Sequence, residues 1–305
     1  KTMNRIWEEI KQQFKQGSVL TRLIIINLAV FVAVNLIHVG LFLFSASAEN
    51  VAITMQQILN WLAVPSSVGE LTTRPWTVVT YMFLHKDLFH ILFNMLWIYW
   101  FGRIFLMYLD QKKLLGVYLV GGLSGALLYI LAYNAFPAFS DYVPYSIMLG
   151  ASAAVMAVVF AISFYVPNYT LNLIFIGPVK LKYIAAFTII LDFLMIASSN
   201  AGGHISHLGG ALFGYLFITQ YKKQKDITRW VWGLFYTEKS GGKKKKRNPH
   251  MHVSYKKPKT DMEYNAQKVA ERKELDRILD KVAKSGYESL SKKEKEILFK
   301  MSNKR

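Results

Sequence analysis

The chain has 305 residues, 53% of them hydrophobic, with a mean hydropathy of +0.23 and a formal net charge of +18. Positive hydropathy with so unbalanced a charge excludes an ordinary soluble enzyme, and this much Leu, Ile, Val and Phe excludes a disordered chain. Cysteine is absent, which excludes a disulfide framework, a thiol nucleophile and a thiolate metal site.

Residues 1–17 are read as a cytoplasmic segment ahead of the first apolar run. Residues 23–44 carry no formal charge. A helix of that length spans a bilayer core of ~30 Å at ~1.5 Å per residue. It lacks a small-residue cleavage pattern, so it is read as a retained span and not as a signal peptide. Residues 45–89 form a long loop that is not polar. Ile53, Ile58, Leu59, Trp61 and Leu62 recur at helical spacing, and Trp61, Trp76 and Tyr81 are interfacial residue types. This loop is expected to be structured and to lie partly in the outer interface.

Five more apolar runs follow at 91–109, 114–132, 152–166, 183–198 and 207–221. Any one of them could be a buried soluble helix. Six in series predict an all-α polytopic membrane protein whose six-span core covers residues 18–222. Residues 223–260 read as a basic cytoplasmic linker, with Lys and Arg filling 243–247. Such a run beside a membrane favours anionic lipid, and no nucleic acid is needed to explain it. Residues 261–305 read as a small helical tail. Leu275, Ile278, Leu279 and Val282 form one stripe, Gly286 is a stop, and Ser291-Lys292-Lys293-Glu294 is a capping box.

Lys and Arg in the short loops set the orientation. Lys1, Arg5, Lys11, Lys15 and Arg22 precede span 1. Lys112 and Lys113 lie between spans 2 and 3, Lys180 and Lys182 between spans 4 and 5, and the basic tail follows span 6. The other side offers only Arg74 and Lys86. Both ends of the chain are therefore expected in the cytoplasm, with the spans in a cell (inner or plasma) membrane.

Polar groups inside a bilayer are costly, so each is a functional candidate. Span 2 opens with His90-x-x-x-Asn94, two side chains on one helix face, for which helix–helix hydrogen bonding is the plain structural reading. Span 4 opens with Gly150-x-Ser152, where a serine is more often an N-cap than a nucleophile. Span 6 opens at His207, followed by Gly210 and Gly214 at the spacing that lets helix backbones approach. Counted up from their basic or Pro-marked cytoplasmic ends, Ser152 and His207 reach the same depth. His207 lies one turn before Gly210, so it should face the small residues of span 4: Gly150, Ala153, Ala154 and Ala157. A Ser152–His207 hydrogen bond is the expectation. Asp192, the one acid inside a span, is expected near the middle of span 5 and away from this layer, which favours a dyad over a triad. His204 is the rival base, expected to precede the helix. His85 is expected to be a solvated loop residue.

Taken in order, His90-x-x-x-Asn94, Gly150-x-Ser152 and His207-x-x-Gly210-x-x-x-Gly214 resemble the rhomboid intramembrane serine proteases, over roughly residues 18–222. The resemblance implies Ser152 as nucleophile and His207 as general base. It implies an oxyanion hole of His90, Asn94 and the Ser152 backbone N–H, and close substrate approach at Gly150. It implies transmembrane protein substrates held in the lipid bilayer, with no cofactor and no metal. Three positions depart from the family pattern. Ala153 follows Ser152 where Gly is commoner, Met156 stands where many members have Tyr, and Arg74-Pro75-Trp76-Thr77 stands where a Trp-Arg pair is frequent. They leave the Ser152/His207 pair intact. The alternative is a catalytically silent rhomboid-like protein that binds membrane clients. A small transporter would call for paired intramembrane charges, and only Asp192 is available.

Overall fold

In the computed structural model the described residues are 8, 11–45, 47–173, 176–235 and 261–302, divided between two units, residues 1–240 and 241–305. Helix α1 (Val19–Phe44) starts at Ser18, whose hydroxyl accepts the Thr21 N–H. The long loop that follows folds into α2 (Ala48–Leu62), strand β1 (Val64–Pro65), α3 (Val68–Thr73) and α4 (Thr77–Thr80). The residues expected at helical spacing lie on α2. Its last turn is tied down by Trp61 and Trp76, whose rings stack 5.6 Å apart, and by the Arg74 guanidinium, which donates to the Asn60 carbonyl and the Glu70 carboxylate.

Helices α5 (Leu88–Tyr108) and α6 (Gln111–Ala135) start at Asp87 and Asp110, which accept the N–H groups of His90 and Lys113. Strand β2 (Ile147–Met148) pairs antiparallel with β1 and leads into α7 (Ser152–Tyr165). A hairpin of β3 (Thr170–Leu173) and β4 (Gly177–Lys180) connects α7 to α8 (Leu181–Leu194). Helices α9 (Ala201–Lys222) and α10 (Arg229–Phe235) complete the first unit.

Every residue of α7 from Ala153 to Ser163 is buried, and the helix packs against α5, α6, α8 and α9. That explains its composition, since a helix surrounded on all sides has no polar face to keep. The outer helices invert the soluble pattern. Leu36, Phe42 and Phe44 on α1 and Phe187, Phe193 and Leu194 on α8 are all exposed. A continuous apolar exterior of this kind is a lipid-facing surface, and the chain is a helical membrane protein.

Several expectations are revised. The body is mostly helical but not all-α, because two small two-stranded sheets fasten its loops. Among the described residues, three helices (α1, α5 and α6) are long and apolar enough to cross a membrane, where six were expected. Helices α7 and α8 have only 14 residues each, and α9 is diluted by Gly, Ser and His. Helix α9 also begins at Ala201, six residues before the expected start, so both His204 and His207 are helical. The Ala201-Gly202-Gly203 segment looks like a loop in sequence. Here Gly202 lies against the rings of Tyr129 and Tyr133, where a larger residue would not fit. Helix α10 packs on α6, with Thr228 against Gly116 and the Lys112 ammonium 5.2 Å from the Trp232 ring centre. The stretch expected to be linker from 223 therefore opens with a helix of the first unit. Its basic run, 243–247, lies outside the described residues, as do residues 1–7.

The second unit comprises α11 (Asp261–Ser285) and α12 (Lys292–Ser302). Gly286 leaves the helix with φ +75°, and the capping box closes in both directions: the Glu294 N–H donates to Ser291 Oγ at 3.3 Å, and the Ser291 N–H donates to Glu294 Oε2 at 2.7 Å.

Candidate active site

Ser152 is the first residue of α7, and the segment before it is held from three sides. The Ser146 carbonyl accepts the Ser66 N–H at 3.0 Å, the Ser146 hydroxyl accepts the Tyr129 O–H at 2.8 Å, and the Gly150 N–H donates to the Tyr81 carbonyl at 2.9 Å. Gly150 has φ +133°, a backbone conformation that disfavours any side chain, and a Cβ there would lie 2.8 Å from His90 Nε2. The glycine thus lets the His90 ring close over the start of α7. Ser152 makes no N-capping hydrogen bond; Ala151 occupies that position.

His90 presents a defined face. Its Nδ1 accepts the Lys86 N–H at 3.3 Å, which leaves Nε2 as the N–H of the neutral ring, beside Gly150. Asn94 is buried one turn further along α5 and donates from Nδ2 to the His90 carbonyl at 2.8 Å. That amide nitrogen has a second hydrogen, available to an acceptor in the cavity. His85 is not the solvated residue expected of it. It is only 6% exposed, and its ring meets that of His90 edge-on at 5.1 Å. The turn at Tyr81–Phe83 folds it under the start of α5.

His207 lies in the second turn of α9, one turn before Gly210. A Cβ on Gly210 would collide with the Ala153 carbonyl, and one on Gly214 with the Ala157 carbonyl. The two glycines therefore bring the α9 backbone directly onto α7, and from the other side Ser124 Oγ on α6 donates to the Gly209 carbonyl at 2.9 Å. Ser152, His207, His90, Asn94 and Met156 all line one cavity of about 1230 Å³.

Two expectations fail in detail. No hydrogen bond joins Ser152 Oγ to His207 in this structure, although both line the cavity. Asp192, placed in sequence away from this layer, is in it: its Oδ1 lies 2.8 Å from Nδ1 of His207 and 2.8 Å from Nδ1 of His204. An apolar run to 198 puts Asp192 near mid-span, but the α-helix is shorter than the run. Helix α8 stops at Leu194, so Asp192 lies in its last turn, at the cavity rim. The signal was an acid within an apolar run, and its partners were the histidine pair one turn apart. The three ligand atoms lie within 4.8 Å of one another, a donor set a divalent metal could use, although in this arrangement they satisfy each other by hydrogen bonds.

The chain is 33% identical over 144 residues to a protein of Arabidopsis thaliana named RHOMBOID-like protein 12, mitochondrial, covering 44% of this chain and 43% of that one. It is 30% identical over 178 residues to the Bos taurus presenilin-associated rhomboid-like protein, mitochondrial, covering 53% and 44%. It is 27% identical over 165 residues to Rhomboid-like protease 3 of Toxoplasma gondii, covering 53% and 57%. The chain spans about half the length of these curated relatives. Residues 259–304 match a family of unknown function (DUF6576). The Rhomboid domain matches residues 72–224, from the end of α3 to just past α9 with Ser152, His207, His90, Asn94 and Asp192 inside it, and the chain belongs to the rhomboid family.

Proposed function

We propose that this chain is an intramembrane serine protease that cuts membrane-protein substrates in or near their transmembrane segments. His207 takes the proton of Ser152 Oγ as that oxygen attacks the scissile carbonyl carbon. The oxyanion forms against His90 Nε2–H, Asn94 Nδ2–H and the Ser152 backbone N–H, at the positive end of α7. His207 then gives its proton to the leaving amine, and water hydrolyses the acyl-enzyme by the same route. The reaction uses no cofactor and no metal. The body crosses the membrane six times, with α7, α8 and α9 completing the set begun by α1, α5 and α6. Both ends of the chain lie on the basic, cytoplasmic side of a cell membrane, and the linker meets anionic lipid. The observation that carries the reading is one cavity lined by a helix-start serine, a histidine and two further polar side chains, enclosed by apolar helices.

The test is cleavage of a fused transmembrane substrate by the purified full chain in detergent. Ser152→Ala and His207→Ala should each abolish cleavage while thermal unfolding stays close to that of the parent protein. In soluble serine proteases such losses are on the order of 10⁶ in kcat. Cleavage by folded Ser152→Ala at the parent rate would remove the assignment. A parent protein that binds the substrate and never cuts it would be the silent client binder instead.

A further inference from the structure

Asp192 carries an acid where none is needed for packing. It is 6% exposed and lies in the last turn of α8, and among the described residues no Lys or Arg forms an ion pair with it. Its polar partners are two rings, with Oδ1 at 2.8 Å from Nδ1 of both His207 and His204. An ionised carboxylate can only accept hydrogen bonds, so each ring presents Nδ1–H to it. For His207 that choice has a chemical consequence. With the proton on Nδ1, the lone pair is on Nε2, and Nε2 becomes the atom able to take a proton from a serine hydroxyl. The same contact fixes the ring's rotation, and it sets a negative charge beside the imidazolium that forms when the proton arrives.

We propose that Asp192 is a positioning residue for His207, so that this chain operates as a Ser152–His207–Asp192 set with the acid supplied by the neighbouring helix. Asp192 exchanges no proton; it selects the tautomer and holds the ring. His204 is the second donor to Oδ1 and keeps the carboxylate ionised in apolar surroundings, where an unpartnered charge would not persist. This inference rests on the protease reading given above. The competing structural role is a tether between α8 and α9.

The decisive variant is Asp192→Asn in the full chain. An amide can turn its NH₂ toward His207 Nδ1, which favours the opposite tautomer. Three quantities are read in detergent: kcat and KM for a fused transmembrane substrate, the rate at which a fluorophosphonate labels Ser152, and thermal unfolding. The expected result is a fall in kcat of ~10²–10⁴-fold, with ~10⁴ the loss for the equivalent change in a soluble triad. KM should stay within about threefold, and labelling should slow in parallel with kcat. A tether alone would lower the unfolding temperature and leave kcat per folded molecule within about threefold, and that outcome overturns the proposal. If Asp192→Asn does not fold, Asp192→Glu carries the test. It keeps the carboxylate but displaces it by one methylene, and it should lower kcat by about tenfold or more with KM retained; parent-like kcat there overturns the proposal equally. His204→Ala should lose less than tenfold. A loss as deep as that of His207→Ala would make His204 the ring that Asp192 serves, and the assignment to His207 would fall. The parent reading fails separately, through cleavage by Ser152→Ala, whatever Asp192→Asn does.

Discussion

His85 has two ring nitrogens without a hydrogen-bond partner, although the residue is almost fully enclosed. Burial, and then the neighbouring His90, push its pKa down to about 4. The unfolded chain binds the same proton near the ordinary value of about 6.5. The folded pKa is the depressed one, so its stability contribution is complete above pH ~6.5 and is lost progressively as the pH falls from there toward 4. The loss is ~1.4 kcal/mol per pH unit, to a ceiling of about 3 kcal/mol. His85→Phe keeps the ring and removes the proton site, so it should flatten the fall in unfolding temperature between pH 7 and pH 4.5. Parallel pH dependences in the two proteins would assign the acid sensitivity elsewhere. The residue scale also marks where the sequence could be read. Ser152, His207, His90, Asn94 and Gly150 stand out because a polar or conformationally special residue in an apolar run has few explanations. Asp192 stands out equally, yet its partners depend on where two helices end. The start of α9 is decided by packing of Gly202 against Tyr129 and Tyr133, which leaves no periodic trace.

The contact of α9 on α7 sets the site's dimensions, and it depends on absent side chains. Gly210→Ala gains in intrinsic helix propensity, about 1 kcal/mol. Its Cβ would nevertheless enter the space of the Ala153 carbonyl, which is backbone and cannot rotate away. Overpacking of this kind typically costs ~1–3 kcal/mol, so the net effect should be a lower unfolding temperature and a weaker protease. Gly233 on α10 is the control, because a Cβ there meets nothing within 4 Å. Gly233→Ala should therefore be neutral or stabilising. Equal destabilisation by both would mean that close approach is not what Gly210 provides. Among whole elements, the long apolar helices were legible because a bilayer demands continuous apolar length. The tail's capping box was legible because its two hydrogen bonds are local. The start of α9 was not, because two glycines argue against a helix until the tyrosines that accept them are known. The two small sheets were not either, because β1 and β2 have two residues each and find one another across 81 intervening residues.

Whole-molecule topology rests on an asymmetry of charge and on the outward apolar surface, and its weakest link is α7. At ~1.5 Å per residue its 14 residues reach ~21 Å, short of a ~30 Å core. A helix enclosed by protein need not match the bilayer, and the remaining depth can be covered by the Gly150 segment above it and the cavity it borders. The six-crossing arrangement therefore requires that the two ends of α7 face opposite sides of the membrane. The chain has no cysteine, so single-cysteine variants can be labelled without background. Glu70, Asp141, Lys180 and Lys223 are all exposed and lie in different connections. An impermeant thiol reagent on intact cells should reach Glu70→Cys and Asp141→Cys. It should reach Lys180→Cys and Lys223→Cys only after permeabilisation. The inverse pattern would reverse the orientation that Lys and Arg indicate and keep the number of crossings. Labelling of Asp141→Cys and Lys180→Cys from the same side would mean that α7 does not cross. Ser152 would then open a helix that dips into the membrane and returns, and the equal depth expected of Ser152 and His207 would not hold.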